Sequence, residues 1–130
     1  MKMYVCVLDE FPDYMTPTLV GHAVLRHHLA MLESAPPVYE FYENWLHNSF
    51  KKCVVRVTRN EFDKILLLPN IVQSWENNTL EGKTSCITIV VDDNIPNVLK
   101  FAKLWKPSPQ NHTIYGLYSK RIVWEYDGLS

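Results

Sequence analysis

The stretch Met15 to Ala30, MTPTLVGHAVLRHHLA, gathers three histidines and an arginine into one short segment. Imidazoles serve as general bases or metal ligands, and a guanidinium suits a phosphate. Helical spacing puts His22 and Arg26, four residues apart, on one face where they could grip an anion. The same spacing argues against a metal. His22 stands five residues from His27 and six from His28, and Arg26 fills the position a second ligand would need. The plainer alternative for His22 is a half-buried structural histidine bonded to a loop. His27 and His28 are expected to face solvent.

Two other groups could do chemistry. Asp9, Glu10 and Asp13 follow the first apolar run, at the end of a strand where open α/β sheets commonly bind ligands. One of these carboxylates could act as a base or accept a ribose hydroxyl; alternatively the three form a solvated loop complementing a helix N-terminus. In SWENN, Ser74 to Asn78, Trp75 could stack on a base while Asn77 and Asn78 read its edges. Its alternative is a turn with an aromatic covering the core. His47-Asn48-Ser49 forms a single H-x-S element, and the two-histidine phosphoesterases need two. No Walker loop, G-x-S-x-G or G-x-G-x-x-G is present.

The chain that must position these groups has 130 residues, the size of one domain, and 47% of them are apolar, enough for a sizeable core. Thirteen basic residues against fourteen acidic ones leave a net charge of −1, without the basic excess of most nucleic-acid binders. A local basic patch remains open in FKKCVVRVTRN, with Lys51, Lys52, Arg56 and Arg59. Cys6, Cys53 and Cys86 each sit in a β-branched run and read as small core hydrophobes in a reducing compartment. Neither a signal-peptide pattern nor a membrane-length apolar run is visible, so a cytoplasmic location is expected. The sequons at Asn77 and Asn111 then count as chance matches.

Periodicity supplies the elements. MKMYVCVL reads as a buried strand. Thr16-Pro17 looks like an N-cap followed by proline at the first helical position, and Leu19, Val20, Ala23, Val24, Leu29 and Met31/Leu32 continue a helical stripe. VYEFYENWLHNSF predicts a second helix with Phe41, Trp45 and Leu46 on one face. KKCVVRV is a strand, and TRNE is a capping box opening a third helix that stops near Pro69-Asn70. NIVQSW and TSCITIVV are strands, and DDNIPNVLKFAKLW predicts a last helix capped by Asp93 or Asn94. The order β-α-α-β-α-β-β-α implies an α/β fold with a single mixed sheet flanked by helices. Residues 1–106 form that domain. Residues 107–130 form an extension expected to be a β-hairpin, whose Tyr115, Tyr118, Trp124 and Tyr126 would close the sheet or offer a dimer surface.

This order resembles the type 2 (archaeal and eukaryotic-type) peptidyl-tRNA hydrolase family, over roughly residues 3 to 105. YVCVL stands where that family has its first strand. GHAVLRHHLA is similar to its C-[GS]-H-A-A segment on the first helix. WLHNSFKKCVVRVTRNEFDKI resembles its W…G-x-K-K-I-V-V-K-V pattern followed by a cap and a helix. LPNIVQSWENNTLEGKTSCITIVVDDN resembles its L-P segment, loop, glycine and final strand.

The resemblance implies peptidyl-tRNA ester hydrolysis without metal or cofactor, and a site that departs from the family's own. Aligning His22-Ala23 on the family's G-K-x-A-A-Q-x-x-H-A puts Met15 at the lysine and Leu19 at the glutamine. The family's D-A-G-x-T loop falls near Ser74 to Asn78, so Ser74 or Trp75 meets its aspartate; Glu76 is then a shifted carboxylate and Thr79 a shifted threonine. The expected catalytic pair is therefore His22 and Glu76, with Asp9, Glu10, Arg26, Trp75, Asn77 and Thr79 binding ligand. Losing a cationic amine removes much of what stabilises a developing oxyanion. The expectation is a degenerate relative binding a nucleotide-like molecule or a tRNA 3′ end, of a kind that would suit a phage protein countering a host factor. The alternatives are an active hydrolase with altered catalytic residues, His22 with Glu76 or Asp9, or an adaptor that binds a host protein, or a second copy of itself, through its C-terminal hairpin.

Overall fold

A computed structural model describes residues 1–76 and 82–107. In chain order the elements are β1 (Lys2–Leu8), a single 3-10 turn (Asp13–Met15), α1 (Thr16–Leu32), α2 (Pro36–Asn48), β2 (Lys52–Val57) and α3 (Arg59–Ile65), followed by β3 (Val72–Trp75), β4 (Thr84–Val91), the one-turn α4 (Asn97–Lys100) and β5 (Lys103–Leu104). They build an α/β fold around one mixed sheet of order β3-β4-β1-β2-β5. β1 runs parallel to β2 and antiparallel to β4, and β4 is antiparallel to β3. The C-terminal ends of β1, β2 and β3 therefore share one end of the sheet.

β1 is central and apolar on both faces, and its period-two alternation divides the core. Tyr4, Cys6 and Leu8 face α3 and α4, meeting Phe62, Ile65, Ile87, Ile89 and Leu99. Met3, Val5 and Val7 face α1 and α2, meeting Leu19, Ala23, Met31, Tyr42 and Trp45. Cys6 and Cys86 are buried and Cys53 half-buried, all as free thiols. Burial pushes the Cys6 and Cys86 thiols up, Cys86 to about 12, so both behave as small hydrophobes.

Local chemistry explains several boundaries. The capping box is present in full: Thr58 Oγ1 accepts from Glu61 N–H at 3.2 Å, and Glu61 Oε1 accepts from Thr58 N–H at 2.9 Å. α2 ends in a left-handed residue, Phe50 at φ 60°, whose N–H reaches Trp45 O at 2.7 Å. Phenylalanine is unusual there, and its ring stacks on Trp45 with centroids 5.6 Å apart.

Four expectations need correction. Thr16 does not cap α1: it is the first helical residue and is buried, the preceding Met15 holds the cap position, and Pro17 still opens the helix. On α1 the buried stripe is Leu19, Ala23, His27 and Met31, so Leu29 and Leu32 are exposed. On α2 the buried pair is Tyr42 and Trp45, with Phe41 partly exposed. The last helix is one turn preceded by Pro96, with no side-chain cap from Asp93 or Asn94; the chain then adds β5 beside β2. The expected C-terminal hairpin lies outside the described residues from 108 onward. No helix among the described residues is long and apolar enough to cross a membrane.

Candidate functional site

Because β3 runs parallel to β1, Trp75 and Glu76 lie at the sheet end where α1 begins. α1 packs across β3 and β4, which brings its outward flank alongside the end of β3. His22 Nε2 donates to Glu76 Oε2 at 2.7 Å. Glu76 is buried, 8% exposed, while the His22 ring is close to half open to solvent. One helical turn on, the Arg26 guanidinium lies over the Trp75 ring at 3.8 Å from its centroid. Four side chains, two from α1 and two from the end of β3 and the residue after it, thus form one cluster.

The cluster has a defined electronic arrangement. A carboxylate accepting from Nε2–H fixes the tautomer of His22 and leaves Nδ1 as the basic nitrogen. The arginine is spread on an indole face and carries no ion pair among the described residues, and its Nε is buried without a hydrogen-bond partner. A stacked guanidinium is stiff and keeps its terminal N–H groups directed at its edge, where a phosphate or carboxylate would meet them. The arrangement can bind an anion and position a base beside it.

The other predicted residues are placed differently. Glu10 pairs with Arg59 through both carboxylate oxygens, at 3.0 and 2.7 Å, which holds its carboxyl below the usual range. Asp13 makes the equivalent two-point pair with Arg56, at 2.9 and 3.2 Å, and Arg56 also donates to Lys106 O. Two of the acids after β1 are therefore bound to half of the basic patch, and Asp9 is exposed beside them. Lys52 donates to Phe50 O at 3.0 Å. Asn77 and Thr79 lie outside the described residues. No group of three or more metal-binding side chains occurs among the described residues.

His27 and His28 are corrected outright. His27 is 1% exposed, and its Nδ1 lies 2.8 Å from Thr88 Oγ1 on β4. His28 is half-buried, with Nδ1 2.8 Å from Tyr42 Oη. Extending the Leu19–Ala23 stripe by four, and again by four, reaches His27 and Met31, so the spacing carried the signal for His27. The stacking of Arg26 on Trp75 had no such signal, because it joins residues 49 positions apart. Met15 and Leu19, where the resemblance expects lysine and glutamine, are buried in the core under α1.

The sequence matches no protein-family model and no curated protein.

Proposed function

We propose that the chain binds a nucleotide-like ligand, such as a tRNA 3′ end, at the cluster of His22, Arg26, Trp75 and Glu76. The observation that carries this reading is the Arg26 guanidinium, which has no ion pair among the described residues and lies over Trp75 one turn from His22. Arginine takes a phosphate oxygen pair, and the aromatic beside it offers surface to a base. With Met15 and Leu19 in the core, neither position supplies the lysine or the glutamine that the resemblance expects, which supports a binding role. The reading rests further on the resemblance to type 2 peptidyl-tRNA hydrolases, and its setting is the cytoplasm.

Calorimetric titration with a CCA trinucleotide tests it. Binding is expected, weakened about tenfold or more in Arg26→Ala, since a charge-assisted bond contributes roughly 1.5–3 kcal/mol. The absence of binding, or equal affinity in the variant, overturns the proposal.

A second reading is supported by the 2.7 Å contact between His22 and Glu76. A carboxylate-oriented imidazole is a competent general base for ester hydrolysis. Release of peptide from a peptidyl-tRNA mimic, lost in His22→Ala, would make the chain a hydrolase with altered catalytic residues.

A further inference from the structure

A cleft of about 400 Å3 opens at the other end of the sheet, between the α1–α2 corner and the start of β3. Its volume falls in the range of small-molecule pockets, roughly 300–1,000 Å3. Met31, Val38, Phe41, Leu68, Ile89 and Pro96 make its walls largely apolar. His27 also lines it, as the most deeply buried titratable group there. Asp92 is the single formally charged residue in the described lining.

The hydrogen bonds around His27 fix what it offers. Thr88 Oγ1 donates its one proton to Val72 O, at 3.3 Å. Thr88 must then accept from His27, so the proton of the imidazole sits on Nδ1 and Nε2 carries a lone pair. Nε2 makes no hydrogen bond among the described residues. With Nδ1 engaged by Thr88, Nε2 is the nitrogen that His27, as a lining residue, can offer to a molecule in the cleft. Burial, with a smaller contribution from His28, holds the ring neutral by pulling its pKa down to about 4.

We propose that this cleft binds a small flat aromatic molecule, uncharged or cationic, that donates one hydrogen bond to His27 Nε2. An indole or a phenol has that chemistry. Apolar walls take the ring, the imidazole lone pair takes the N–H or O–H, and Asp92 at the rim disfavours anions. The site is separate from the His22 cluster and independent of its function.

Protein-observed NMR titration of the full chain with indole and with N-methylindole tests the proposal. Indole is expected to shift the resonances of His27, Met31 and Val38, and N-methylindole, which lacks the donor, to bind about tenfold more weakly. Val38→Trp, filling the cleft from a partly exposed helix position, should abolish the shifts without touching His27. Tryptamine should bind more tightly than indoleacetate, and Asp92→Asn should narrow that preference. Equal affinity of indole and its N-methyl analogue overturns the proposal, as do shifts centred on the exposed Leu25, Leu29 and Leu32, or no shifts at millimolar indole.

Discussion

Lowering the pH from 7 to 4 should destabilise the protein through His27. The folded ring titrates at about 4 because it is buried, whereas the unfolded chain's histidine titrates at 6.5. Between those values the unfolded state binds a proton that the folded state refuses, so stability falls as the pH falls. The loss begins near 6.5, is complete near 4, and does not grow below that. Its size is roughly 3 kcal/mol, a large share of the roughly 5–15 kcal/mol that holds a domain folded. The assay is urea denaturation at steps across this interval, for the wild type and His27→Leu. Leucine removes the Thr88 bond at every pH but cannot titrate, and the carboxylates that titrate nearby cancel in the difference. The wild-type advantage should therefore shrink, or reverse, by roughly 3 kcal/mol towards pH 4. Parallel curves would refute the burial argument.

Three further outcomes follow from the contacts described. Thr58→Ala removes the α3 cap and should cost about 1 kcal/mol, read from the urea midpoint. Leu19→Gln, which restores the residue the resemblance expects, buries an amide among Met3, Val5 and Trp45 and should cost roughly 2–4 kcal/mol without creating hydrolysis. If Arg26 makes the one phosphate contact, CCA binding should fall with salt with a log–log slope of about −0.7, and Arg26→Ala should flatten it; a much steeper slope would point to a wider basic surface.

The sheet was legible because its signals are local. β1 is a nearly continuous apolar run, β4 is rich in β-branched residues, and the Thr58–Glu61 box announces α3 in four letters. The misplacements came where tertiary context outweighed pattern. Pro96 and the pairing of β5 with β2 replace most of the last expected helix. Phe41 and Tyr42 are both large and aromatic, and only the geometry of the α1–α2 contact decides which is buried. The acids after β1 show the same limit for the site. Glu10 and Asp13 looked like free carboxylates because their arginines lie 49 and 43 residues away.

α1 carries the functional logic of both sheet ends. Each residue turns about 100° around a helix, so His22 and His27 lie about 140° apart despite sharing one short segment. That angle sends His22 outward, to a carboxylate delivered by the end of β3, and His27 inward, to a hydroxyl on β4. The two imidazoles become opposite tools. His22 donates a hydrogen bond from Nε2–H to Glu76 and leaves a lone pair on Nδ1, while His27 donates from Nδ1–H to Thr88 and leaves Nε2 as the acceptor. The first is half open to solvent and suited to an anion beside Arg26; the second is enclosed by apolar walls with Asp92 at the rim. An anion is therefore favoured beside Arg26 and disfavoured beside Asp92, so charge directs anionic ligands towards one of the two proposed sites.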